Sequence, residues 1–359
     1  MWKAGLWCEV LLSPRKDFTR RERKESDQMT SRERIKSVFS FCVRIGLSLG
    51  LLGYLFTKID VKETVEVLRT ADWTYLVYAG GLFLVINVVL LMRWFIFIRA
   101  LDLTASVGHV IRYYLIGLFG NLFLPSAVGG DLIKVIGLCK NSAQKPKVVA
   151  SVLLDRLSGF AGIVVVAVAA FVIGYRWINE SSLIIPIVAM GIFSAVFIAV
   201  LFNEKVYSFC CRIFDRLPKF KKSLMDLHYD VVLLKENSVE GVKAVGLSCV
   251  TQSILAVTFF LTAKALGQDI PMIYFLVFVP IMCVAASFPS IGGLGVREAG
   301  AAYLFAKVGV DSGIAVSMSL INFLFMVVVG LIGGIVYVST LSSRWVQHSS
   351  SDARVSGAG

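Results

Sequence analysis

Charge is what this chain has least of. Asp, Glu, Lys and Arg make up 17% of it against 57% hydrophobic residues, and its mean hydropathy is +0.77. Soluble domains carry roughly 25% charged and 45–50% apolar residues, so a water-soluble domain is excluded and an integral membrane protein is expected. Histidine is scarce as well. His109, His228 and His348 lie far apart, and no metal centre is expected from them. The seven cysteines (Cys8, Cys42, Cys139, Cys210, Cys211, Cys249 and Cys283) are scattered, odd in number and free of any C-x-x-C. They give neither a disulfide framework nor a zinc site. The sequence also lacks a nucleotide-binding glycine loop after a strand and a carboxylate pair in a substantial loop, so no cofactor is expected.

A signal h-region is missing too. The first 35 residues are instead rich in Lys and Arg and read as a disordered, basic cytoplasmic tail. The context "MTSRERIKS" makes Met29 a candidate true start. The net charge of +12 would suit a nucleic-acid binder. Its basic residues sit at the ends of apolar runs, however, where Lys and Arg orient membrane helices, so nucleic acid is not an expected partner.

What is present in quantity is apolar sequence of membrane-spanning length. A spanning helix needs about 20 mostly apolar residues. Val38–Phe56, Tyr75–Ile98, Val148–Gly174, Leu183–Phe202, Val242–Leu266 and Gly313–Leu341 meet that requirement. Two more apolar segments, Val110–Leu138 and Pro271–Val308, are interrupted by Pro and Gly. Charge placement orients the set. Tyr175–Ser182 carries Arg176, whereas Asn203–Gly241 carries Lys205, Arg212, Arg216, Lys219, Lys221, Lys222 and Lys235, which puts the latter in the cytoplasm. The bias closes if Val110–Leu138 dips in from the cytoplasm and returns at Lys140, Lys145 and Lys147, while Pro271–Val308 does the same from the opposite side. Eight full spans would give the same sidedness at both termini.

The expected fold is therefore an all-α polytopic membrane protein with about six full transmembrane helices and two re-entrant helical hairpins. The transmembrane domain covers 36–341, both termini are cytoplasmic, and 342–359 form a short tail. Lys58–Asp72 has the spacing of a short interfacial helix, and 203–240 reads as a cytoplasmic amphipathic segment.

The two interrupted segments echo one another. "FLPSAVGGDLIK" (Phe123–Lys134) and "SFPSIGGLGVRE" (Ser287–Glu298) share a Pro-Ser, a Gly pair and then an acid and a base. Interrupted apolar segments in corresponding positions of two halves point to an inverted repeat with a binding site between them. The commonplace alternative is that Pro and Gly are simply frequent in membrane helices. One such motif would not separate the two readings, but a pair in opposite inferred orientation favours the repeat.

The letters fit the physics. Non-helical backbone in hydrocarbon costs several kcal/mol per unpaired group unless it is buried in protein or lines a wet cavity. Pro donates no N–H and Gly permits a sharp turn. The expected breaks are Pro125, Gly129, Gly130, Pro289, Gly292, Gly293 and Gly295. A half-helix starting beyond them would aim free N–H groups and a positive dipole end inward, suiting an anion such as phosphate.

Ionisable residues inside the spans mark further candidates. Asp155-Arg156 interrupts "VVASVLLDRLSGFAGIVVVAVAAF", and intramembrane charges usually face a cavity or a partner. The plain alternative is a structural Asp–Arg pair near the cytoplasmic end. Arg93, at the end of the second span, is either an interface anchor or a headgroup ligand, and Arg99 is an anchor. Asn121 either satisfies freed backbone carbonyls or touches substrate.

Arg93-Trp94, "GLFGNLFLPSAVGGDLIK" (Gly117–Lys134), "ASVLLDRLSG" (Ala150–Gly159) and "PSIGGLGVREAG" (Pro289–Gly300) together resemble the lysylphosphatidylglycerol synthase transmembrane (flippase-like) family over about Ile35 to Leu341. The resemblance implies a multi-pass protein of a bacterial or archaeal cytoplasmic membrane that moves a lipid, or a lipid-linked precursor, between leaflets. Fused members carry a cytoplasmic aminoacyltransferase domain. Here only Ser342–Gly359 follow, so a stand-alone member without synthase activity is expected. Lys134 stands where Arg is common, which keeps the charge and loses the bidentate fork. Ser126 stands where Gly is frequent.

On this reading the protein is not an enzyme. Arg156, Lys134, Arg297, Arg93 and Asn121 would bind a phosphate-bearing headgroup in a cavity between the hairpins. Asp131, Asp155 and Glu298 would orient those cations or carry a coupling proton. The candidate partners are a membrane or polyisoprenoid-linked lipid, envelope-biosynthesis enzymes and a second copy of the chain. The competing readings are a membrane-embedded transferase acting on a lipid-linked substrate and a non-transporting scaffold for an envelope-biosynthesis enzyme.

Overall fold

The computed structural model describes residues 69–123, 129–139, 142, 144–174, 192, 238–286 and 293–356. The basic tail, the expected span Val38–Phe56, all but Ile192 of Leu183–Phe202, most of Lys58–Asp72, nearly all of 203–240, and Pro125, Pro289 and Gly292 lie outside the described residues. Within them the elements are α1 (Trp73–Ala100), α2 (Val107–Phe123), α3 (Gly129–Cys139), α4 (Lys145–Gly174), α5 (Ser238–Ala265), α6 (Met272–Ala285), α7 (Val296–Ala306) and α8 (Ser312–Ser356). Every one is a helix, and the chain is an all-α membrane protein.

Four helices, α1, α4, α5 and α8, are long and apolar enough to cross a bilayer. The 28 residues of α1 extend about 42 Å at 1.5 Å per residue, beyond a hydrocarbon layer of about 30 Å. Each begins earlier than the apolar run alone suggests, because polar residues extend the ends. Asp72 Oδ1 accepts the Thr74 amide at 2.8 Å and Asp311 Oδ1 accepts that of Gly313 at 2.6 Å. The first turn of α5 carries a Lys243–Glu240 pair at 2.8 Å. Trp73 and Tyr78 stand exposed at the start of α1, the placement expected of aromatic residues at a membrane interface.

The two interrupted segments fold back on themselves. Gly137 faces Tyr113, Gly117 faces Lys134, and Asn121 bonds Gly130; one number rises as the other falls, so α2 and α3 are antiparallel. In the second segment Phe305 lies against Phe275 and Phe278, Gly300 faces Met282 and Gly293 faces Ala286, so α6 and α7 are antiparallel too. The arms have 17, 11, 14 and 11 residues, or about 17–26 Å, all shorter than the hydrocarbon layer. A Cβ at Gly130 would lie 2.2 Å from the Gly117 carbonyl oxygen. Only glycine lets the first pair of arms come so close.

Exchanging α1 with α5, α2 with α6, α3 with α7 and α4 with α8 maps the helix packing onto itself. Thus α2 packs on α8 as α6 packs on α4, and α3 on α4 as α7 on α8. The same sequence offset separates Trp73 from Ser238 and Val107 from Met272. The equivalent helices α1 and α5 run antiparallel: the Asp72 amide donates to the Ala265 carbonyl at 2.9 Å, while Arg93 meets Ser248 at their other ends. Equivalent helices of opposite direction make an inverted repeat. The larger apolar core surrounds the second hairpin, where Phe275, Phe278, Phe305 and Met282 meet Phe259 and Met318. A smaller one, with Trp94, Val110, Tyr114 and Val152, supports the first.

Candidate functional site

Charged groups in this apolar bundle gather beside the first hairpin and within the second. One set is a tie between α1, α4 and α5. Arg93 Nε donates to Asp155 Oδ1 at 2.7 Å and Nη1 to Ser248 Oγ at 2.9 Å, with both charged side chains only 8% exposed. A Cβ at Gly159 would sit 3.1 Å from Arg93 Nη1, so the glycine makes room for the guanidinium. Arg93 is thus neither an interface anchor nor placed to meet bulk lipid. A buried pair of this kind holds because each charge would be costly without the other.

One layer away, Asp131 in the first turn of α3 is shared by two cations. Lys134 Nζ lies 3.3 Å from its Oδ1, and Arg156 Nε reaches Oδ2 from α4. Asp155 and Arg156 therefore pair with others and not with one another: Asp155 with Arg93 of α1, Arg156 with Asp131 of α3. The Lys134 ammonium also stands 5.2 Å from the Trp94 ring and 5.0 Å from that of Tyr114, in cation–π contact. Among the described residues the buried Tyr114 hydroxyl has no hydrogen-bond partner. Asn121 Oδ1 accepts the Gly130 amide at 2.9 Å, so it serves a freed N–H at the start of α3, whereas the sequence had suggested a freed carbonyl. Arg156 is 31% exposed and is the most open side chain of the group.

The second hairpin builds a different object from similar letters. Gly293 and Gly295 have φ of 82° and 85°, in the left-handed region that glycine adopts freely. Glu298, wholly buried, turns back to accept the Gly295 amide at 2.6 Å. Its other oxygen takes Arg297 Nη2 at 2.8 Å and the Ser319 hydroxyl at 2.9 Å. Arg297 Nε donates to Ser319 Oγ at 2.8 Å, and its guanidinium lies 5.4 Å from the Phe323 ring.

Arg93, Asp131, Lys134, Asp155 and Arg156 thus come together around the first hairpin, while Arg297 and Glu298 form their own closed cluster against α8. Around the first hairpin three cations meet two carboxylates; at the second, one meets one. The excess positive charge, with the N-terminal end of α3 beside it, is what could hold an anion. Tyr114, Ser248, Ser319 and Phe323 escaped the reading of the sequence, and Trp94 entered it only as the neighbour of Arg93 in a motif. The serines carried a faint signal, as hydroxyls within apolar spans, and Tyr114 carried none.

Comparison with known proteins gives the chain a family. The family profile described as "Lysylphosphatidylglycerol synthase TM region" matches residues 41–334, and the chain belongs to that family. A UPF0104 membrane protein of Pyrococcus horikoshii is 26% identical over 322 residues, covering 81% of this chain and 94% of its own. No solved structure matches the chain.

Proposed function

We propose that this member of the lysylphosphatidylglycerol synthase TM-region family is a flippase-like transporter, which moves a phosphate-bearing lipid or lipid-linked precursor between the leaflets of a cytoplasmic membrane. The observation that carries the reading is the part-exposed Arg156 meeting Lys134 on Asp131, at the N-terminal end of a short helix inside a membrane bundle. Cations and a helix N-terminus on one spot favour a phosphate oxygen. The two hairpins are re-entrant, each dipping from its own face, and both termini are cytoplasmic. In transport the headgroup takes up Arg156 and Lys134 while Asp131 keeps them in place. The lipid chains stay in the bilayer alongside, where α1 and α8 present exposed Val, Leu and Ile. The inverted repeat supplies two equivalent arrangements, one open to each leaflet. No bond is made or broken, and the protein acts as a carrier.

The test is reconstitution into vesicles with a headgroup-labelled phospholipid, following loss of label to an impermeant quencher. Losing one charge-assisted contact of about 1.5–3 kcal/mol corresponds to roughly a ten- to hundredfold effect. Arg156→Gln protein should therefore transport at least tenfold more slowly than wild type. Equal rates would remove the first hairpin from the transport path.

A further inference from the structure

A cavity of about 130 Å³ lies at the base of the first hairpin, where α1 ends and α4 begins. Gly137 on its wall is roughly one helical turn beyond Lys134. Its polar side chains converge from separate stretches: Thr104 and Ser106 before α2, His109 on α2, and Ser142 between α3 and α4, with Leu138 and Val148 closing the apolar side. Ser106 Oγ and His109 Nδ1 share a hydrogen bond of 2.7 Å, and the imidazole stacks on Tyr113 at 6.4 Å, so this wall is held in place. A mostly apolar hollow with a few fixed polar groups is the usual form of a ligand pocket. A cavity of about 150 Å³ accepts benzene, so this one has room for about six non-hydrogen atoms, the size of a phosphate or a glycerol unit.

Two more observations say what kind of molecule would fill it. The stretches that line the cavity are flanked in the chain by Arg99, Arg112, Lys145 and Lys147 and by Asp102, a local excess of positive charge that favours anions. Val107 and Ile111 on α2 and Leu132 and Ile136 on α3 are exposed, each pair one turn apart, so each arm carries an apolar strip that begins, at Val107 and Ile136, next in the chain to the lining residues Ser106 and Gly137. A free phosphate would gain nothing from that strip, whereas a lipid chain would cover it.

We infer that the cavity is a loading site for the phosphate-bearing end of an anionic glycerolipid, occupied before the headgroup reaches Arg156 and Lys134. The inference rests on the transport reading for its cargo, and its test is a binding measurement that needs no transport. Full-length Arg156→Gln protein, in which the central cluster is disabled, is titrated in detergent with dioctanoyl phosphatidic acid. Saturable binding is expected. Adding Ser142→Trp, which fills the cavity, should weaken it at least tenfold. Adding Thr104→Val, which keeps the shape and removes a hydroxyl, should weaken it severalfold in a protein that melts like its parent. Dioctanoylglycerol and inorganic phosphate should each bind at least tenfold more weakly. No binding in the Arg156→Gln background, unchanged binding in both cavity variants, or inorganic phosphate matching the lipid would each overturn the site. The transport reading fails separately, if Arg156→Gln leaves the rate unchanged.

Discussion

The two hairpins begin from nearly the same letters and end as opposites. In the first, the acid precedes the base by one turn, so Asp131 and Lys134 share a face and Asp131 is left able to receive Arg156 from α4. In the second, Arg297 and Glu298 are neighbours. Glu298 turns back onto the Gly295 amide, and Arg297 swings onto Ser319 of α8. One cluster keeps a surplus cation in a half-open position, while the other is neutral and sealed. The packing follows the same division, with glycine-close arms in the first hairpin and aromatic-spaced arms in the second. A repeated motif in a membrane protein thus sets where the backbone breaks, and the spacing of the following charges sets whether the cluster beyond it is left part-open or sealed.

The division can be broken experimentally. The largest effect should come from the tie beneath the first hairpin: Asp155→Ala strands the buried Arg93, and losing one partner of a buried pair costs about 3–5 kcal/mol. Thermal unfolding in detergent should show it, and the paired change Arg93→Met with Asp155→Leu should recover most of the loss. A double variant no better than the single would mean that the charges do more than satisfy each other. Next comes the contrast of the two arginines. Arg297→Gln leaves Glu298 buried without its cation and should destabilise by about 2–4 kcal/mol. Arg156→Gln, at a part-exposed pair, should cost no more than about 1 kcal/mol while it slows transport. If the two variants melt alike, the sealed and open descriptions are wrong. The smallest contrast concerns the arms: Gly130→Ala forces overpacking worth about 1–3 kcal/mol. Gly300→Ala meets only Met282 Cγ at 3.6 Å and should be neutral, or gain up to about 1 kcal/mol of helix propensity.

Much of this molecule was legible in one dimension. Apolar runs marked α1, α4, α5 and α8, and the Pro and Gly interruptions marked both hairpins, with Lys134 and Arg297 in matching places. The partners were not legible. Asp155-Arg156 reads as a pair along the chain, yet Asp155 belongs to Arg93 and Arg156 to Asp131. Ser248, Tyr114 and Ser319 complete the clusters from helices that no spacing rule connects to them.

Hydropathy along the chain was enough to put this protein in a membrane, to mark α1, α4, α5 and α8 as helices, and to locate the two interrupted segments, while leaving open whether those segments cross or turn back. Those outcomes follow from hydropathy and from the need of each backbone group in oil for a local partner, both properties of contiguous residues. Which charge meets which, and hence which hairpin keeps a part-exposed cation, was settled by how the helices pack in space. Ion pairing across helices depends on how each helix is rotated and how closely it packs, and glycines such as Gly130 and Gly159 set that closeness without advertising their neighbours.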